Sequence, residues 1–288
     1  MAISRPRYDE LLRAAAGELP AAPGVYVFMG EDERVPLYIG KSVNIRGRVL
    51  SHLRAGRRRM LREARTLRHF RTAGAVGALL LEAQLIKEQR PLYNKRLKRS
   101  RELCSLRLAD GVPQVVFARE MDFAGAPGLY GLFRHRRQAL EKLQAIADEQ
   151  QLCLGLLGLE QTARGRGCFR SGIGRCAGAC RGDEPLAAHE ARLREALTRL
   201  AVVSWPWPGA VGLVEDGRDL RQVHVVRNWC YLGSVEREDQ AHELVRVAPG
   251  FDVDGYRILY KPLLARRKDL VQFPMQFPIQ ASRPGLAP

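Results

Sequence analysis

No run of apolar residues approaches the roughly 18 needed to cross a bilayer. The first ten residues, Met1 to Glu10, hold no apolar stretch followed by a small-residue cleavage site. A membrane-spanning or secreted chain is therefore not expected, and the expected location is the cytoplasm. There, six cysteines are poorly explained as disulfides and better explained as metal ligands or buried thiols. No internal repeat is present. Gly40-Lys41-Ser42 echoes the end of a phosphate-binding loop, but Val35 stands where the upstream glycine belongs, which excludes nucleotide binding. Any ATP-dependent step then falls to a partner. Acid is scarce as well: between positions 41 and 71 the single acidic residue is Glu63.

What is present is base. The 288 residues carry 47 Lys+Arg against 31 Asp+Glu, a net charge of +16. Residues 1–102 hold 22 basic and 10 acidic side chains, so +12 of that charge lies in about a third of the chain. Such a field suits a polyanion, most simply nucleic acid, better than a merely solvated face. An anionic membrane fits less well, because these basic residues lack an apolar face to insert. At roughly 150 residues per domain the length implies about two domains. The 46% hydrophobic content is enough for a buried core.

The patterning predicts an α+β fold. Arg7 to Ala16 reads as a short helix. Gly24–Phe28 and Val35–Lys41 are β-branched or aromatic and form a hairpin about a polar turn. Asn44 is a good helix cap, opening a helix to Leu53 with Ile45, Val49, Leu50 and Leu53 on one face. Arg57–Leu67 reads as a very basic helix and His69–Thr72 as a short third strand. Val76–Gln89 reads as a helix apolar almost all round, ended by Pro91. Leu103–Leu108 and Gln114–Ala118 have strand character, and helices are expected around Gln138–Asp148 and His189–Leu200. Beyond Pro206 and Pro208, a small α+β domain is expected from Ala210–Val214, Gln222–Leu232, a helix Glu238–Val247, and Tyr256–Tyr260. The expected divisions are 1–102, a linker region 103–204, a C-terminal domain 205–265 and a disordered tail 266–288.

Several residues carry chemistry. Glu82 lies in Ala78-Leu79-Leu80-Leu81-Glu82-Ala83-Gln84-Leu85-Ile86, where no helix neighbour neutralises it. Such a carboxylate needs a metal or a distant arginine, or else it reaches water at the helix edge. Tyr26 and Tyr38 are central in facing strands, so their phenols are expected to converge, and the Lys41 ammonium would lower a phenol pKa. They equally fit two ordinary strand tyrosines. Arg48 and His52 are four apart on the next helix. Arg48 suits a phosphate through its planar fork of donors, whereas His52 alone reads better as surface charge. Arg46, Arg54, Arg57, Arg58, Arg59, Lys95 and Arg96 are the expected DNA contacts.

Taken together, Gly24-Val25-Tyr26, Leu37-Tyr38-Ile39-Gly40-Lys41, Arg48 ten residues after Tyr38, Glu82, and Pro91-Leu92-Tyr93-Asn94 resemble the GIY-YIG nuclease family. The resemblance implies a three-stranded antiparallel sheet flanked by helices and metal-dependent phosphodiester hydrolysis. By position it implies Glu82 as ligand of Mg²⁺ or Mn²⁺, and Arg48 on the scissile phosphate. Tyr38 would help activate water with Tyr26 and Lys41 assisting, and Asn94 would be structural or near the site. His52 stands where relatives often carry tyrosine.

Residues 78–94, the four-cysteine segment and residues 251–264 are similar to the UvrC-homologous excinucleases of the Cho type. That similarity implies incision 3′ to a lesion in UvrB-bound double-stranded DNA, within nucleotide excision repair and the SOS response. The second, 5′-cutting nuclease domain of UvrC is not expected, since the chain ends too early to hold it. Glu215-Asp216-Gly217 and Asp252-Val253-Asp254-Gly255 read as turns rather than a second acidic centre. A UvrB-contacting role is left to the C-terminal domain by elimination. A non-catalytic nucleic-acid-binding protein on the same scaffold is the competing expectation, and the intact set of site residues argues against it. A restriction or homing nuclease would carry a sequence-reading domain, and no helix-turn-helix or finger signature is present.

Cys153, Cys168, Cys176 and Cys180 are expected to hold a metal centre. Their segment is too rich in Gly and Arg to build a core of its own, so a metal would order it. The spacing alone admits zinc or an iron–sulfur cluster, and the resemblance leans to [4Fe–4S]. Arg164, Arg166, Arg170, Arg175 and Arg181 would then form a second DNA-facing patch. Cys104 and Cys230 read as ordinary core cysteines.

Overall fold

A computed structural model describes residues 5–55, 59–94, 103–161, 167–244, 250–266 and 270–273. The chain forms two compact units, residues 1–99 with 207–288, and residues 100–206.

The first unit opens with α1 (Arg5–Glu18), β1 (Gly24–Met29), β2 (Pro36–Ser42), α2 (Ile45–Ala55), α3 (Arg59–Glu63), β3 (Thr66–Arg71) and α4 (Ala75–Gln89). The sheet is antiparallel in the order β2-β1-β3. Every residue of β1 is buried, which explains why GVYVFM does not alternate: both faces of the sheet are covered. Tyr26 and Phe28 pack with Leu12, Ile45, Val49, Met60 and Leu61 on one side. Val25, Val27 and Met29 pack with Leu85 and Ile86 of α4 on the other.

Asn44 caps α2 as expected, its Oδ1 accepting from the Gly47 amide at 2.9 Å. The helix expected over 57–67 is present at Arg59–Glu63, its first two positions lying outside the described residues, and it ends before 67 because the Arg65 amide already donates to the Met29 carbonyl at 2.8 Å and draws the chain into the sheet. The third strand therefore starts at Thr66, earlier than expected. At the end of α4, Arg90 takes a left-handed conformation (φ 47°) before Pro91. The chain then runs along the edge of β2, where the amides of Leu92 and Tyr93 donate to the carbonyls of Pro36 and Leu37.

The second unit is more than a linker. β4 (Cys104–Ala109), β5 (Val112–Phe117) and β6 (Leu129–Phe133) form a sheet in the order β5-β4-β6. α5 (Arg136–Glu149) follows, then the one-turn α6 (Phe169–Gly172), a 3-10 turn at Ala179–Arg181 and α7 (Leu186–Thr198). Cys104, Leu106, Leu143, Ile146, Leu193 and Leu197 build one core from sheet and helices. Strand β6 escaped the sequence reading because Gly131, at φ 73°, interrupts its pattern.

The first unit resumes with β7 (Ala210–Asp216), β8 (Arg221–Arg227), β9 (Cys230–Val235), a 3-10 turn at Glu238–Gln240, α8 (Ala241–Leu244), α9 (Val253–Ala265) and β10 (Val271–Phe273). The sheet order is β10-β7-β8-β9. The stretch expected as Gln222–Leu232 is a hairpin: Asn228 and Trp229 both have positive φ and form a two-residue turn between Arg227 and Cys230. Trp229 is fully buried against Trp207 and Tyr256.

Four expectations are corrected here. Tyr256–Tyr260 lies within α9, whose Tyr256, Leu259 and Leu263 share one buried face. The tail is not wholly disordered, since Val271–Phe273 pairs with β7, and the Phe273 ring lies against Gly212, where a side chain would collide. Glu215 is a strand residue, not part of a turn. Asp252 caps α9, its side chain accepting from the Asp254 amide at 3.2 Å. Cys104 is buried and Cys230 half-buried.

Candidate active site

Strand register decides where the two tyrosines meet. Tyr26 pairs across from Gly40, and Tyr38 from Phe28, so the phenols approach diagonally, with ring centres 6.3 Å apart. Gly40 makes the approach possible. A Cβ there would stand 2.5 Å from Tyr26 Oη and 2.8 Å from Tyr38 Cε1, closer than carbon atoms tolerate. Gly40 is thus a site-shaping residue that the sequence showed only as a letter of a motif.

From α2, His52 closes the aromatic group. It is 5% exposed, its Nε2 lies 2.9 Å from Tyr26 Oη, and its ring stands 5.9 Å from that of Tyr38. The surface-charge reading of His52 is therefore wrong: the apolar stripe of α2 is wide enough to take it inward. Arg48, one turn earlier and exposed, stands near enough to the same phenol for its charge to act on it. Burial pushes the Tyr26 phenol well above its usual value, the neighbouring Tyr38 adds to this, and Arg48 opposes it. Tyr26 stays protonated at neutral pH.

Lys41 also has a partner that its place in the sequence did not show. Lys41 acts on Glu82: its backbone amide donates to Glu82 Oε1 at 3.1 Å. Burial raises the Glu82 pKa, and the Lys41 charge and amide pull against it. A half-buried carboxylate held this way gains from a cation, which is the chemistry expected of a metal ligand. Asn94 anchors a strand. Its side chain both accepts from and donates to the Ile39 backbone, at 3.0 and 2.9 Å, fixing β2 one residue before Gly40.

Of the expected DNA contacts, Arg54 is exposed. Arg46 is exposed while its Nε donates to the Leu19 carbonyl at 2.5 Å. Arg59 pairs with Glu63 at 3.0 Å. Arg57, Arg58, Lys95 and Arg96 lie outside the described residues.

The four cysteines of the second unit come together, with their Sγ atoms all within 4.8 Å of one another and none in a disulfide. Amides of Cys168 and Gly178 donate to the sulfurs of Cys180 and Cys176, at 3.2 and 3.4 Å, which favours thiolate. Burial pushes Cys153 up to about 12 and also raises Cys176. Cys168 is lowered: burial works against it, but the Ser171 amide and the three neighbouring thiols prevail. His189, whose pKa burial lowers, accepts the Cys153 amide at 3.1 Å. Four mutually close thiols, two of them accepting backbone amides, fit a metal–thiolate group. Arg170 is buried, paired with Asp148 at 2.5 Å and bonded to the Arg175 carbonyl at 3.3 Å, while its Nε finds no acceptor among the described residues. Burial removes Arg170 from the expected DNA-facing patch. Arg181 is paired with Asp183, Arg175 is exposed, and Arg164 and Arg166 lie outside the described residues.

Comparison with known proteins agrees with this arrangement. Residues 22–95 match the family model of the UvrC-like GIY-YIG domain, residues 103–199 the UvrC/Cho excinuclease middle domain, and residues 210–276 the excinuclease Cho C-terminal domain. Excinuclease Cho of Escherichia coli K12 is 55% identical over 92% of this chain and 90% of its own length. UvrABC system protein C of Haloarcula marismortui is 35% identical over 72% of this chain but only 35% of its own length. Among solved structures, the N-terminal endonuclease domain of Thermotoga maritima UvrC, bound to magnesium, is 36% identical. It covers 30% of this chain and 97% of that domain, with a TM-score of 0.27. The chain is thus an endonuclease of the GIY-YIG class. Within that class it belongs to the excinuclease Cho family, a DNA-repair branch. Among the described residues no helix is long and apolar enough to cross a membrane.

Proposed function

We propose that the protein incises the damaged strand of double-stranded DNA on the 3′ side of a lesion, in a complex with UvrB, as a cytoplasmic step of nucleotide excision repair. The observation that carries the reading is the convergence of Tyr26 and Tyr38 of the small sheet with Arg48 and His52 of α2 and a half-buried Glu82 of α4. The association of a homologous relative with a UvrABC system supports UvrB as the partner.

In this reading Arg48 holds the scissile phosphate through two parallel N–H bonds. Tyr26, protonated and oriented by His52, donates toward the same phosphate region. Tyr38, less buried and across Gly40, is placed to orient the attacking water. Lys41 fixes one Glu82 oxygen through its backbone and leaves the carboxylate facing cation chemistry. A divalent ion, Mg²⁺ or Mn²⁺, held by Glu82 would stabilise negative charge on the phosphate oxygens. The basic N-terminal surface, including Arg46, Arg54 and Arg59, docks the duplex.

The four cysteines hold a structural metal centre. Sulfurs within 4.8 Å of one another admit one tetrahedral zinc as they stand, since bonds of about 2.3 Å place thiolates about 3.8 Å apart. A [4Fe–4S] cluster, which the family resemblance favours, needs them farther apart. Anaerobic preparation with elemental analysis and absorbance near 400 nm separates the two, and a folded, active protein with neither metal overturns both.

The function is tested with end-labelled duplex carrying one bulky lesion, with and without UvrB, mapping every cut. One cut, 3′ to the lesion and dependent on Mg²⁺ or Mn²⁺, is expected. Efficient cuts on both sides of the lesion, lost together in Glu82→Gln, would contradict it.

A further inference from the structure

Helix α4 begins with a defect. Its cap is Gly74, which has no side chain to offer, and Gly77 follows in the first turn. An uncapped start leaves amide donors without partners, and each helix glycine costs about 1 kcal/mol relative to alanine. The missing cap comes from far away in the sequence. Glu215, on β7, accepts from the amides of Val76 at 2.9 Å and Gly77 at 2.7 Å. His224, on β8, is fully buried and bonds the same carboxylate through Nε2 at 2.9 Å, while its Nδ1 meets Ser234 Oγ at 2.7 Å. The two glycines leave the room this needs: a Cβ on Gly74 would run into the Glu215 carboxylate, and one on Gly77 would stand 2.7 Å from His224 Cε1. Just before the helix, the Ala73 amide donates to Gln222 Oε1 at 2.9 Å. Toward its far end, Lys87 pairs with Asp252 at 2.5 Å and Asp254 at 3.2 Å. Between these two attachments, about 9 Å from Val76 along the axis, sits Glu82.

We propose that Glu215, supported by His224, is a positioning residue for the nuclease centre: the C-terminal segment caps and clamps α4, and thereby holds Glu82 at the distance from β2 that cation binding requires. The inference rests on the reading of Glu82 as the metal-holding carboxylate. It gives the C-terminal segment a part in the chemistry, separate from any contact with UvrB.

The test uses the full chain with wild type, Glu215→Ala, Glu215→Gln and Glu82→Gln. Glu215→Ala should lower kcat about tenfold or more, leave KM for DNA near wild type, and raise the Mg²⁺ concentration for half-maximal incision several-fold. Amide hydrogen exchange in the first turns of α4 should quicken by a similar factor, a readout independent of cleavage. Glu215→Gln keeps an acceptor for one amide and should lie between. Should Glu215→Ala fail to fold, Glu215→Gln carries the same comparisons alone. A folded Glu215 variant with wild-type kcat and wild-type exchange in α4, beside an inactive Glu82→Gln, overturns the clamp and leaves the active-site reading standing. A Glu82→Gln variant that cuts at the wild-type rate overturns the active-site reading and the clamp with it.

Discussion

Gly40→Ala adds one methyl group between the two tyrosines. The new Cβ would stand 2.5 Å from Tyr26 Oη, 2.6 Å from Tyr26 Cζ and 2.8 Å from Tyr38 Cε1. Carbon contacts settle near 3.5–4.0 Å, so the rings must yield by about 1 Å. Tyr26 cannot do so freely, because it is 1% exposed and bonded to His52 at 2.9 Å. Overpacking of this kind costs about 1–3 kcal/mol, and the stiffer unfolded chain returns about 0.4–1 kcal/mol. A net loss of about 1–2 kcal/mol should lower Tm by several degrees. A 1 Å displacement of catalytic groups costs about a hundredfold in rate, so incision of lesion-bearing duplex should fall by about that factor in a protein still folded at the assay temperature. Gly17→Ala is the control. It lies in α1 with nothing within 4 Å of its added Cβ, and should raise Tm without changing the rate. A Gly40→Ala variant with wild-type rate and Tm would refute the packing argument.

Glu82→Gln should abolish incision, retain DNA binding and leave Tm unchanged or higher at neutral pH, because burial disfavours the ionised form in the folded state. A gel-shift assay with a melting curve checks all three. Arg48→Lys keeps the charge but loses the planar fork and should cost at least tenfold in cleavage rate, while an undiminished rate in Tyr38→Phe would reduce Tyr38 to a core aromatic. Glu215 has a lowered pKa: burial alone would raise it, but His224 and the amides of Gly77 and Val76 prevail. Its contribution is therefore complete above the ordinary carboxylate range and lost as pH falls through that range toward its lower folded value. Wild type should lose Tm on acidification more steeply than Glu215→Gln, and parallel curves would count against the capping bond. DNA affinity should fall with salt by about −0.9 in log–log slope per phosphate neutralised. Changing Arg57, Arg58 and Arg59 together to alanine should flatten that slope, and titration at several salt concentrations measures it.

Local pattern determined much of this protein. The β-branched and aromatic runs of β1 and β2, the Asn44 cap, the apolar helix around Glu82 and the stop at Pro91 are short-range features, and periodicity reads them directly. The spacing of Tyr26, Tyr38, Arg48 and Glu82 marked a candidate site only through its resemblance to the GIY-YIG family, a resemblance legible because the residues lie within one small unit, two of them on adjacent strands of a hairpin. Four cysteines within 28 residues were equally visible as a set. What the pattern could not carry was partnership across long separations. His52 looked like a surface residue until the fold brought Tyr26, 26 positions away, against its ring. Lys41 showed no tie to Glu82 until α4 placed that carboxylate on its amide. Glu215 read as part of an acidic turn, because nothing near it in the sequence shows the open end of a helix 139 residues earlier. The glycines at 74 and 77 were its only trace. A glycine records that room is needed but not what fills it, and only tertiary packing supplies the carboxylate and imidazole that do.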